Sequence, residues 1–162
     1  MNTVILRDIL INELTVSPEK LGPEERRKLF SIVRFPRNIK ILILDSEGTG
    51  VLARVLETIP FTEEEFLELV KVCEDITISS NFDLSWYLSR NPHLSQKVLL
   101  RMASSKVPLI RIHTLNNPNF TPEMLIESKL LFDKNYFVKR AVERYIKNKG
   151  LVLFDLLRRV NF

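Results

Sequence analysis

"RNPHLSQKVLL" (residues 90–100) and "NNPNFTPEMLI" (residues 116–126) carry an Asn-Pro in one register, 26 residues apart, each followed by a hydroxyl residue and an apolar run. A phrase written twice at that spacing points to a repeated supersecondary unit. The same start signal is a Pro or loop residue, then Ser, Thr or Asn, then apolar residues at helical spacing. Searching outward for it finds five sites: Ser17 in "SPEKL", Asn38 in "PRNIKILIL", Thr62 in "PFTEEEFLELV", Ser95 and Thr121. The intervals are 21, 24, 33 and 26 residues, and the long one contains "DITISSNF" as an insertion. Each side-chain oxygen can accept from an otherwise unpaired amide in a first helical turn. Pro18 and Pro122 suit the first helical position, and Thr62 with Glu65 forms a capping box.

Between successive starts there is room for a second helix, at about residues 23–35, 50–59, 82–90, 107–116 and 135–148, with a last amphipathic helix at 151–160. A helical hairpin of this size cannot bury its own apolar face and must stack on its neighbours. The expected fold is therefore all-α: a single domain over residues 1–162, built as a right-handed α-solenoid of about five stacked helical hairpins. Its units start near 17, 38, 62, 95 and 121, and residues 151–162 form a C-terminal capping helix, with Leu151, Phe154, Leu157 and Val160 as its inward stripe.

Composition agrees. A chain of 162 residues, 45% hydrophobic and 27% charged, is long enough for one domain with its own core, and four Gly are too few for the turns of an all-β fold. "MNTVILRDILINEL" lacks a cationic start and an unbroken apolar stretch, so it does not read as a signal peptide. No window approaches the roughly 18 apolar residues of a membrane span. A cytoplasmic protein with no membrane association is expected, as monomer or homodimer. The lone Cys73, in "LVKVCEDI", reads as a buried small hydrophobe on a helix face. Residues 1–89 hold 10 Lys and Arg against 15 Asp and Glu, a net of −5; residues 90–162 hold 14 against 5, a net of +9. That asymmetry hints at an anionic partner for the second half.

The succession of Asn-Pro, a capping hydroxyl, a short Leu-containing helix and a second helix with an apolar-basic pair resembles the variant leucine-rich repeat, within the HEAT and armadillo superhelix class. The likeness is carried by "DLSWYLSRNP", "PLIRIHTLNNP" and "YFVKRAVERY", best over residues 81–146. It implies a superhelix whose second helices line a concave face. One version of that family holds an iron–sulfur cluster in a cysteine-rich segment; with Cys73 alone, no such cofactor is expected.

Stretches that could carry chemistry are few. "NIKILILDSEGTGVLARVLETI" has the outline of a nucleotide-binding crossover, but Gly48 and Gly50 are too few to cradle phosphates, and no Lys-Ser or Lys-Thr follows. Gly48 reads more simply as the left-handed stop of a helix begun at Asn38. His93 follows an Asn-Pro in a loop, and His113 shares the register of Tyr87 and Ala141, so a core or semi-buried histidine is the simpler reading there. The carboxylates of "TEEEFLE" complement a helix dipole. No catalytic residue, metal ligand or cofactor is expected.

Aligning the second helices by the Asn-Pro register places Leu84, Ile110 and Val138 inward, and then Leu88, Thr114 and Val142. The positions after the first set, Ser85, Arg111 and Lys139 followed by Trp86, Ile112 and Arg140, are expected to point outward. With Arg90 and Arg144 they form a basic ladder holding two apolar residues. The expected binding residues are therefore Trp86, Arg90, Arg111, Ile112, Lys139, Arg140 and Arg144. The leading functional expectation is a non-enzymatic scaffold that binds another protein or peptide on its concave surface. The alternative is nucleic-acid binding by the basic half, against which the acidic balance of the first half counts. A base-excision glycosylase of the HEAT-like class lacks its catalytic Asp beside aromatic residues.

Overall fold

The computed structural model describes residues 3–14 and 17–160, with the side chain of Thr3 excepted. Among these residues the chain is all-helical, with eleven α-helices and no strand. They are α1 (Thr3–Glu13), α2 (Pro23–Val33), α3 (Pro36–Leu42), α4 (Ser46–Thr58), α5 (Glu63–Ser80), α6 (Ser85–Leu88), α7 (Gln96–Ala103), α8 (Pro108–Thr114), α9 (Pro122–Glu127), α10 (Tyr136–Asn148) and α11 (Leu153–Arg158), with 3-10 turns at Pro18–Lys20 and Leu130–Phe132.

Three of the five expected starts cap their helices through the side chain. Thr62 accepts from the Glu65 amide while the Glu65 carboxylate accepts from the Thr62 amide; Ser95 accepts from Val98 and Thr121 from Met124. Asn135 does the same for α10, accepting from Phe137 and Val138. The other two starts are corrected. Asn38 lies inside α3, which begins at Pro36 because proline suits the first helical position, and the Asn38 amide donates to the Ile32 carbonyl. Ser17 precedes only a three-residue 3-10 turn and makes no side-chain cap. The helix paired with α2 there is α1, to which the sequence reading assigned no helix. α1 packs on α2, α3 and α4 through Leu6 and Leu10.

Gly48 is no left-handed stop. It sits in the first turn of α4, where its amide donates to Asp45 Oδ1 at 2.6 Å, and a Cβ there would collide with the Leu42 carbonyl oxygen. The position requires glycine for close approach of α3 to α4. Gly48→Ala is expected to destabilise the chain by about 2 kcal/mol or more, because backbone must move to relieve the overlap, while Gly50→Ala, which meets open space, stays within about 0.5 kcal/mol. Thermal melts of the two variants check this. The residues of "DITISSNF" lengthen α5 to 18 residues instead of looping out, and Asn81 ends it at φ 56°. That extension leaves α6 only four residues long.

Packing arranges the helices in two rows. Along one, α4 contacts α6, α6 contacts α8 and α8 contacts α10; along the other, α3 contacts α5, α5 contacts α7 and α7 contacts α9. Between the rows one continuous apolar cluster runs from Leu6 to Leu156, and it contains all the inward residues expected on the second helices except Thr114, which is itself buried and returns its hydroxyl to the Ile110 carbonyl. Cys73 is part of this cluster, and burial pushes its thiol far up, so it stays protonated and inert. α11 is turned differently from expectation. Leu156 enters the core, while Phe154 is exposed with the Arg158 guanidinium over its ring.

The repeated Asn-Pro is now explained. Asn91 is fully buried and its amide donates to the Leu56 and Ile59 carbonyls at the end of α4, at 2.8 and 2.9 Å. Asn117 does the same one unit on, donating to Ser89 and to Asn91 itself at 2.7 and 2.9 Å. Each Oδ1 accepts from the amide two residues later, His93 or Asn119, which sets the turn around the proline. Carbonyls at one helix end thus gain a partner from the turn that follows the next helix in the row. In the following unit the register position is Tyr145, whose hydroxyl donates to the Phe120 carbonyl.

Candidate binding groove

The row α6, α8 and α10 is uneven because α6 is one turn long. Asp83 accepts from the Ser85 amide and hydroxyl, holding that turn. α8 starts at Pro108 and α10 at the Asn135 cap. Between them lies a groove of about 430 Å³, lined by Trp86 from α6, Ile112 and His113 from α8, Leu115 and Asn116 beyond it, and Ala141, Arg144, Tyr145 and Asn148 from α10, with Lys149 at the end. Among the described residues no carboxylate lines it.

Three of the seven expected binding residues meet there: Trp86, Ile112 and Arg144. Arg90 joins the rim, its guanidinium 5.8 Å from the Trp86 ring and 3.8 Å from Glu57. Trp86 remains 45% exposed, so the groove has an open aromatic wall. The other three lie elsewhere. Lys139, on a different face of α10, lines a separate hollow of about 340 Å³ with Phe132, Val142 and Ile146. Arg140 stands in solvent over Tyr136 and 3.8 Å from Glu143. Arg111 is corrected outright: it turns away from solvent and grips Asp133 with two hydrogen bonds, 2.8 and 3.2 Å, while donating to the Ser105 carbonyl at 2.8 Å. A ladder that treats adjacent positions as one face ignores the 100° turn per residue, which carries Lys139 and Arg144 to different flanks of α10.

Sequence reasoning missed most of the floor. Ala141, Arg144, Tyr145 and Asn148 recur at the three- and four-residue spacing of one helix face, and that was the available signal. It also missed the partner of His113. Nδ1 of His113 lies 3.0 Å from Asp83 Oδ2 and 2.9 Å from Ser85 Oγ, a contact across 30 residues that no local pattern encodes. The imidazole edge meets the Trp86 ring, centroids 5.4 Å apart. Burial pushes the Asp83 carboxyl up, but hydrogen bonds from His113 and Ser85 outweigh it and hold the group below the usual carboxylate range.

Asp, His and Ser together invite comparison with a hydrolytic triad, and the geometry differs from one. Asp83 and Ser85 share the same ring nitrogen, whereas a relay places the carboxylate on one nitrogen and the nucleophile on the other. Ser85 is fully buried and gives its proton to Asp83. Among the described residues no group of three His, Cys, Asp or Glu side chains could hold a metal ion, and no helix is long and apolar enough to cross a membrane. Compared with protein-family models, curated proteins and solved structures, the chain matches none.

Proposed function

We propose that this chain is a right-handed α-solenoid of about five helical hairpins that acts as a non-enzymatic, cytoplasmic scaffold, holding an acidic segment of another protein in the groove between α6, α8 and α10. The solenoid reading is supported by the two rows of consecutively touching helices and by the buried asparagine that recurs at two successive joints. The observation that carries the function is the groove's composition: an apolar wall of Trp86, Ile112 and Leu115 flanked by Arg144 and Lys149, with no carboxylate among the described lining residues and with Arg90, beside Glu57, at the edge of Trp86. Such a surface accepts an apolar anchor beside negative charge. Nucleic acid is the weaker occupant, because the cations do not form a continuous track: Arg111 is spent on Asp133, and Arg90 and Arg140 lie beside Glu57 and Glu143.

Affinity capture from native lysate, with and without nuclease, followed by titration of the captured partner, tests this. Trp86→Ala is expected to weaken a protein partner by more than about tenfold, as loss of a central aromatic anchor does, and Arg144→Glu by a similar factor, both without loss of fold. A partner recovered only when nucleic acid is intact, with affinity falling steeply as salt rises, sinks the reading in favour of the nucleic-acid alternative.

A further inference from the structure

His113 has one ring nitrogen fixed and the other free. The fixed side dictates the proton. Asp83 Oδ1 already accepts from the Ser85 amide and hydroxyl, and Oδ2 faces Nδ1 at 3.0 Å, so the carboxylate is an acceptor on both oxygens and Nδ1 carries the hydrogen. In the neutral imidazole Nε2 is then a lone pair. Among the described residues Nε2 has no hydrogen-bond partner, and no buried side-chain nitrogen lacks a partner, so Nε2 reaches solvent, and His113 is one of the residues that line the groove. Around it the groove offers donors: the guanidinium of Arg144, the ammonium of Lys149, and the amides of Asn116 and Asn148, whose side chains bond to no protein group among the described residues.

Resting on the proposed protein-binding role, we infer that His113 Nε2 is the groove's built-in hydrogen-bond acceptor, taking a backbone N–H of an extended acidic segment whose neighbouring carboxylates lie on Arg144 and Lys149. A segment in mid-helix has its amides engaged in its own ladder, whereas an extended one presents free N–H groups. The acidic character follows from charge complementarity with a groove lined by two cations and no anion. Trp86 and Ile112 take an apolar side chain of the same segment. Asp83 acts through His113, as a positioning residue that sets which nitrogen holds the proton.

The test exploits that fixing. In Asp83→Asn the amide oxygen remains with the two Ser85 donors, the NH2 turns to Nδ1, and the imidazole is forced into the opposite tautomer, so the groove's acceptor becomes a donor with no change in lining residues. The probe is a fluorescein-labelled pentapeptide of leucine between glutamate pairs, read by anisotropy. Nitrogen-15 spectra of the histidine rings report the tautomer. Wild-type protein is expected to show an unprotonated Nε2 at His113, and Asp83→Asn an unprotonated Nδ1 with affinity lower by about tenfold, the scale of one hydrogen bond lost and one buried group left unpaired. The same peptide N-methylated at the leucine amide is expected to bind wild type about tenfold more weakly, which needs no variant to fold. A proton on Nε2 in the wild type, or equal binding of methylated and unmethylated peptide, overturns the inference. If Arg144→Glu still weakens the peptide in that case, the groove reading stands without it; if the peptide fails to bind or Arg144→Glu changes nothing, both fall.

Discussion

Asn117→Ala lowers the melting temperature by roughly 10 °C, the expected consequence of removing one small side chain from the joint between two helical units. Asn117 is 3% exposed and makes three hydrogen bonds: two from its amide, to the Ser89 and Asn91 carbonyls, and one to its Oδ1 from the Asn119 amide. Alanine leaves two buried carbonyls and one amide without partners, and each unpaired group costs about 1–3 kcal/mol. Water reaches the amide of the exposed Asn119, so the sum falls at the low end of the three, about 3–5 kcal/mol, which corresponds to that shift at about 2–4 °C per kcal/mol for a chain of this size. Asn117→Asp is expected to do worse, since a carboxylate has no hydrogen to give either carbonyl. Asn119→Ala is the control: its amide donates to the Pro92 carbonyl at 2.8 Å, but the residue is exposed and water replaces it, so a loss under about 1 kcal/mol is expected. Calorimetric melts of the three variants decide whether the repeated asparagine holds the stack or merely shapes a loop. Because Asn117 donates to the carbonyl of Asn91, the pair Asn91→Ala and Asn117→Ala should also be non-additive.

Where the sequence showed the fold, it did so through local chemistry that acts within four residues. The capping oxygens of Thr62, Ser95 and Thr121, and the apolar spacing of the helices behind them, are short-range signals that the folded chain keeps. Where the reading failed, a non-local contact had taken over. Gly48 looks like a stop because glycine often ends helices, yet it is demanded by a carbonyl on the preceding helix. α1 went unassigned because its apolar residues were weighed only against a signal peptide and not as one face of a helix. The groove was half legible: Trp86 and Arg144 fall on exposed and Ile112 on a half-buried position of successive helices, but the Asp83–His113 pair joins residues 30 apart and is visible only once α6 and α8 lie side by side.

Arg111, one of the cations expected on the outward face, is the one whose reversal is expected to damage the protein most. Arg111→Glu is expected to destabilise the chain by about 2–4 kcal/mol, somewhat below the cost of breaking a fully buried ion pair from one side because this pair is partly buried, and by more if the new carboxylate stays against Asp133. The side chains of Arg111 and Asp133 are 17% and 11% exposed, so water can take over only part of either charge. The loss also spreads: Asp133 Oδ1 accepts from the Asn135 amide just before α10, and Arg111 ties the Ser105 carbonyl, in the turn before α8, to the same carboxylate. Removing the guanidinium therefore loosens the starts of two adjacent helices that line the groove. Lys139→Glu and Arg140→Glu, both exposed, are expected to stay within about 0.5 kcal/mol each, so a triple charge reversal would lose binding through unfolding contributed by Arg111 alone. Arg111→Lys separates charge from geometry. It keeps the cation, but one ammonium cannot reproduce the planar fork that reaches both Asp133 oxygens and the Ser105 carbonyl, so an intermediate loss is expected. Denaturant titration of the single variants checks the order, and a stability of Arg111→Glu equal to that of Lys139→Glu would show that the pair contributes nothing to the joint between α8 and α10.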